Sequence, residues 1–169
     1  MSLEIFLKLD GVIGGTRNYQ HKGWADLLSW HWALAPGAAN DAGPCAGMNR
    51  LTVVKLIGPE SPALLRLFVE QTVVKAAEIS AIPLVGKREK AQQYVSLAME
   101  DVRLTDIRTD GGAEDNAFTE TVSLQFAKIR YETFNHAAGD PNAPATNADP
   151  KEKFEFRWDM EHNRQWPSA

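Results

Sequence analysis

The 169-residue sequence is short of several things, and each shortage removes a class of protein. It has a single cysteine, Cys45, so no intramolecular disulfide can form and no cysteine-rich zinc site is available. It has no basic excess: 18 Lys and Arg stand against 22 Asp and Glu, a net charge of −4. That balance argues against nucleic acid as a partner, which calls for a basic face, and against docking on an anionic membrane. No apolar run approaches the ~20 residues needed to cross a bilayer, so no membrane insertion is expected. The opening Met1-Ser2-Leu3-Glu4-Ile5-Phe6 lacks a basic segment followed by a long apolar one, so a secretory signal is not expected. Synthesis in a reducing cytoplasm follows as the expectation.

What is present is an ordinary globular composition, 44% hydrophobic and 24% charged. The length suits one domain over residues 1–169. Residues 3–9 alternate, with Leu3, Ile5, Leu7 and Leu9 on one face, and predict a half-buried strand. Residues 24–34 predict another. Trp24, Asp26, Leu28, Trp30, Trp32 and Leu34 face inward, and Ala25, Leu27, Ser29, His31 and Ala33 face outward. A third strand runs from Leu51 to Ile57. Ser61 suits a helix N-cap and Pro62 the first helical position, with Leu64, Leu65, Phe68, Val69 and Thr72 on the apolar face. The helix should fade near Val73. Alternation returns over 77–83, where Ala77, Ile79 and Ala81 oppose Glu78 and Ser80.

Two long strands, 93–107 and 118–131, change apolar parity midway, at Glu100-Asp101 and at Ala127-Lys128. A parity flip in a long strand implies a bulge or bend, as where a strand passes between two packed sheets. The last strand sets Phe154, Phe156, Trp158 and Met160 against Glu155, Arg157 and Asp159, and so predicts one covered and one solvated face. The sum is mainly β: seven or eight mostly antiparallel strands in a two-sheet barrel or sandwich, with one α-helix over an edge or open end.

Chemistry-bearing motifs are absent. His31 has no nucleophile motif beside it and reads as a polar-face side chain. His21, His136 and His162 lack zinc-like spacing. Cys45 has no basic neighbours to make it reactive. Asp110, Glu114 and Asp115 around Gly111-Gly112 do not match a calcium loop. Gly11, Gly14 and Gly15 lack the Gly-Lys-Ser/Thr of a phosphate loop. Residues 36–50 form a low-charge loop of small residues. That composition suits docking on another backbone, though a passive loop is the plainer reading of composition alone. A monomeric ligand-binding barrel and a small hydrolase are the rival functional readings.

Several segments together resemble the Hcp family, the haemolysin co-regulated tube proteins of bacterial type VI secretion. They are Leu3-Glu4-Ile5-Phe6-Leu7-Lys8-Leu9 with Gly11-Val12-Ile13-Gly14-Gly15, Leu28-Ser29-Trp30-His31-Trp32, and Ser61-Pro62-Ala63-Leu64-Leu65. The most specific is Thr119 to Ile129, TETVSLQFAKI, and Arg157-Trp158-Asp159-Met160 resembles the family's closing strand. Residues 136–150 are longer, and 36–50 less glycine-dominated, than the family pattern. The resemblance implies a two-sheet β-barrel flanked by a helix that forms six-membered rings. Those rings would stack into a tube inside a contractile sheath, be expelled behind a VgrG-type spike, and hold effector proteins in the lumen. It implies a structural role without enzymatic activity, cofactor or metal, and export through the dedicated machine.

On this resemblance Trp30, Trp32, Val122, Leu124, Phe126 and Trp158 form the core signature. Gly37, Ala38, Asn40, Gly43, Gly47 and Met48 belong to a protruding ring-stacking loop. Ser29 and His31, opposite in parity to the tryptophans, are expected to face the lumen and its cargo.

Overall fold

A computed structural model describes residues 3–34, 50–83, 93–113, 117–134 and 153–167. Ten strands and one helix follow in chain order. They are β1 (Leu3–Leu9), β2 (Ala25–Leu27), β3 (Ser29–Trp32), β4 (Arg50–Leu56), α1 (Ser61–Val69), β5 (Val74–Pro83), β6 (Val95–Asp110), β7 (Thr119–Gln125), β8 (Lys128–Phe134), β9 (Lys153–Asp159) and β10 (Arg164–Gln165). A 3-10 turn covers Tyr19–His21.

Every described strand pair is antiparallel. One sheet runs β10-β9-β8-β6-β5-β1-β2, and a second runs β3-β4-β7-β6. The long β6 belongs to both. Its first part pairs with β5 and β8, and the part from Arg103 onward pairs with β7. The parity flip at Glu100-Asp101 marks this crossing. Val95, Leu97 and Met99 are buried before it and Val102 and Leu104 after it, and Asp101 takes a left-handed φ of 52° at the switch. An alternating strand can keep its apolar side inward while changing sheets only by inserting a residue out of phase. The second flip, near Ala127, is a true break that separates β7 in one sheet from β8 in the other.

The core lies between the sheets. Leu51, Val53, Ile79, Leu97, Met99, Val122, Leu124 and Ile129 are fully buried there. Helix α1 closes one end, with Leu64 buried and Leu67 and Phe68 packed against the core. Burial of a leucine to this degree contributes about 2 kcal/mol.

Several expectations need correction. Residues 24–34 are two strands rather than one. Leu28 lies between them with its N–H bonded to Val54 O at 2.8 Å, so β2 pairs with β1 in one sheet and β3 with β4 in the other. The break inverts parity: Ala25 and Leu27 are buried, while Asp26 and Leu28 are exposed. Leu34 is exposed as well. Glu60, not Ser61, occupies the N-cap, and Ser61 begins the helix with its hydroxyl turned into the protein. Leu65 and Val69 are exposed because the buried stripe follows Leu64, Leu67 and Phe68. Ser80 is buried rather than solvated, since the Tyr19–His21 turn covers it and His21 Nε2 lies 3.1 Å from its hydroxyl. On β9 only the Trp158 end meets the core. Phe154 and Phe156 are 55% and 39% exposed; among the described residues β9 lies near the sheet margin with two-residue β10 beyond it.

Candidate functional site

The β3-β4-β7-β6 sheet has two chemically distinct faces, and register assigns each residue to one. Inward, Trp32, Leu51, Leu124 and Leu104 form one cross-strand row, and Trp30, Val53, Val122 and Ile107 the next. Val122, Leu124 and the following Phe126 are buried. Trp30, Trp32 and Trp158 are half-buried and pack against the core. Trp32 reaches across to the other sheet, its ring 6.4 Å from that of Phe126 and 6.1 Å from that of Tyr131.

Outward, the alternation yields small and polar residues. His31, Thr52, Ser123 and Asp106 form one row, and Ser29, Val54, Thr121 and Arg108 its neighbour. Ser29 and His31 are both exposed. The Thr52 and Ser123 hydroxyls are hydrogen-bonded at 3.1 Å, which fixes the centre of this face. Among the described residues β3 pairs only with β4, and the second half of β6 only with β7. Among the described residues neither lateral edge of this sheet is followed by a further strand.

The inward parity of the same sheet ends in charge rather than in a third apolar row. Lys55 and Glu120 stand directly opposite on β4 and β7. Lys55 has no solvent exposure, and its ammonium lies 2.7 Å from Glu60 Oε1 and 3.1 Å from Glu120 Oε2. It also donates to Leu56 O at 2.6 Å and to Ser61 Oγ at 3.2 Å. Ser61 Oγ in turn donates to Glu120 Oε2 at 2.9 Å and accepts from the Gly58 N–H at 3.1 Å. The cluster thus ties β4, β7 and the start of α1 at one point. A Cβ at position 58 would lie 2.7 Å from Glu60 Oε1, so a side chain there would push that carboxylate from its place beside Lys55. Sequence reading missed this cluster, although its signal was present. In both LTVVKL and TETVSLQ a charged residue occupies the apolar parity.

The remaining polar candidates do not converge. His21 stacks on Phe6 at 4.3 Å and meets the Trp24 edge at 4.8 Å. Burial lowers its pKa below 6.5, with Glu4 opposing the shift. His162 pairs with Asp159 at 2.9 Å. Asp110 is bound by Arg108. Gly14 N–H bonds Gly23 O at 2.7 Å, so the glycine loop packs on its own chain. Glu114, Asp115, His136, Cys45 and the proposed stacking residues Gly37, Ala38, Asn40, Gly43, Gly47 and Met48 lie outside the described residues.

Two antiparallel sheets sharing one strand and closed by a helix define the class, a small two-sheet β protein. Residues 6–133 match the family model described as "Type VI secretion system effector, Hcp". The chain belongs to the Hcp family, and it is a type VI secretion protein of that kind. Solved structures carry the same fold at low identity. Hcp1 from Salmonella typhimurium is 20% identical with a TM-score of 0.76, covering 98% of this chain and 100% of that one. A structure described as a type six secretion system protein is 18% identical with a TM-score of 0.78, over 98% and 100%. A type VI secretion system effector from Yersinia pestis is 19% identical with a TM-score of 0.68, over 92% and 98%. No curated protein matches this chain. No helix among the described residues is long and apolar enough to cross a membrane.

Proposed function

We propose that this chain is the subunit of the type VI inner tube, a single structural domain that forms rings of six and carries effectors in the ring lumen. The observation that carries this reading is the β3-β4-β7-β6 sheet, with its polar outer face and, among the described residues, no further strand at either lateral edge. The edges differ in sequence, SWHW on β3 and RLTDIRTD on β6, so contact between copies is heterologous. Heterologous contacts form a ring where the rotation per subunit closes. Joined edge to edge, six such sheets make a continuous wall. The Ser29 and His31 face, with Thr52 and Ser123, then lines the lumen where cargo is held. Small hydroxyl and imidazole groups offer a cargo protein hydrogen bonds without a hydrophobic trap. Residues 36–50, Gly37 to Met48 within them, make the contact from ring to ring.

Rings stacked end to end form the tube, which a contractile sheath expels behind a VgrG-type spike. In this reading the chain performs no catalysis, and it leaves the cell through that machine. Size-exclusion chromatography with light scattering tests the assembly directly. A species of six times the monomer mass, annular in negative stain, is expected. A monomer that binds a small molecule in a cavity would replace this reading with the ligand-binding barrel.

A further inference from the structure

Residues 16–24 lie across the outer side of β1 and β5 as a short flap, and one imidazole ties it to the sheet. The ends of the flap are pinned by backbone bonds, Gly14 N–H to Gly23 O at 2.7 Å and Thr16 N–H to Trp24 O at 3.0 Å. Between them Asn18 donates to Glu4 Oε2 at 3.0 Å, and His21 Nε2 lies 3.1 Å from Ser80 Oγ. Gln93 donates to the same hydroxyl at 3.2 Å. The His21 ring stacks on Phe6 with only 12° between the planes. Beneath the flap Phe6, Ser80 and Ile82 are 1%, 2% and 2% exposed, although their parity turns them away from the core. The outer face of an antiparallel sheet is commonly solvated, so the flap is what keeps this strip dry.

We propose that His21 is an acid-sensitive clasp, whose protonation releases residues 16–24 from β1 and β5 and uncovers Phe6 and Ile82. The far nitrogen of the ring carries the argument. His21 Nδ1 is buried and has no hydrogen-bond partner among the described residues. A neutral ring can leave a bare lone pair there, but an imidazolium carries N–H on both nitrogens. Protonation in the closed flap thus places a donor and a charge at a buried atom that nothing accepts. A cleft of about 230 Å³ between the flap and β5 reaches the ring, so solvent protons have a path to it. The described charges around it are mixed. Glu4 on β1, Glu78 on β5 and Asp26, which stands beside Phe6 on β2, are acidic. Lys8 lies over the Trp24 ring at 5.9 Å, and Arg17 and Lys22 belong to the flap. Burial outweighs the attraction of Glu4 and holds the imidazole below its usual 6.5. Well above 6.5 the ring is neutral in both the closed and the open flap, and closure is complete. As pH falls below 6.5, the open flap takes up a proton that the closed flap resists, and closure weakens. Acid therefore turns a covered strip of the sheet into an apolar, adhesive one.

Hydrogen exchange of the full chain, read by mass spectrometry and corrected for the intrinsic pH dependence of exchange, tests the clasp. A peptide covering residues 12–24 holds the bonded amides of Gly14, Thr16, His21 and Trp24. Its protection should fall severalfold from about pH 7.5 to about pH 5.5, while a peptide from β7 keeps its own. His21→Gln keeps a group that can bond Ser80 but takes no proton, and its flap should show no such fall. As a second variant, Glu4→Gln removes the carboxylate that favours the imidazolium in the closed flap. The ratio of neutral to acid protection should then be larger than in wild type, whatever the variant does to closure at neutral pH. Flap protection that is constant across this range in wild type, or that falls equally in His21→Gln, would overturn the clasp. So would a ratio in Glu4→Gln that matches or drops below that of wild type.

Discussion

Lys55, Glu60 and Glu120 meet beneath α1 with side chains 0%, 5% and 2% exposed. On β8 and β9, Lys153, Glu155, Arg157 and Glu132 form a second cluster, with side chains 44%, 24%, 16% and 9% exposed. Lys153 lies 2.6 Å from Glu132 and 3.1 Å from Glu155, and Arg157 pairs with Glu155. By distance alone the two clusters are alike. Their consequences differ because water reaches Lys153 and Glu155 in the second cluster and no member of the first, although Glu132 is itself buried. A buried ion pair gains little over an apolar pair of the same shape, since desolvation offsets the attraction, but loss of one partner strands a charge in the interior. An exposed pair is worth ~0–1 kcal/mol and weakens with salt. The buried cluster therefore governs the fold at the junction of two strands and the helix. The second, screened at Lys153, contributes less to the fold.

Substitution should separate the clusters by an order of magnitude. Lys55→Met, which leaves two carboxylates without their cation, should destabilise the protein by ~3–5 kcal/mol. Lys55→Met with Glu60→Gln and Glu120→Gln should lose less than the single substitution, because no uncompensated charge remains. Urea unfolding followed by tryptophan fluorescence measures both, and equal losses in the two variants would erase the distinction. On the exposed side, Lys153→Ala should cost only ~0.5 kcal/mol, and that cost should shrink between 0.05 and about 0.5 M salt. A salt-independent loss above ~2 kcal/mol would show that this cluster is shielded after all.

The smallest effect concerns pH. The hydrogen bond from Arg157, helped by Lys153 and opposed by desolvation, holds the Glu155 carboxyl down to about 2 from its usual 4.5. A carboxyl whose pKa is lower in the folded chain stabilises fully above its unfolded value and loses that contribution as pH falls towards its folded value. Wild type should therefore lose slightly more stability than Glu155→Gln between pH 4.5 and about 2. Parallel stability curves for the two proteins across that window would contradict the sign.

Local alternation made much of the fold legible. The inserted residue in β6 was visible because apolar parity must flip wherever a strand changes sheets, and Val95, Leu97 and Met99 give way to Val102 and Leu104. The split at Leu28 was hidden. Leucine continues the apolar parity of the tryptophans, and only the bond to Val54 O shows where the chain leaves one sheet for the other. The helix face was misread by one step because Leu65 and Val69 are as apolar as the residues that do pack. Phe154 and Phe156 looked like core because alternation reports which face a residue shares, not whether another layer covers it.

The site was legible in part. The opposition of Ser29 and His31 to Trp30 and Trp32 could be read within four residues. The Lys55–Glu120 pair joins residues 65 apart in sequence, and no local pattern announces a partner at that distance.

The most direct test of the whole account is a cryo-electron microscopy reconstruction of the assembled protein. A ring of six is expected in which His31, Thr52 and Ser123 face the central axis and β3 of one copy lies along β6 of the next. A ring whose axis-facing wall is the β9-β8-β6-β5-β1 sheet, with His31 turned to the outside, would contradict it.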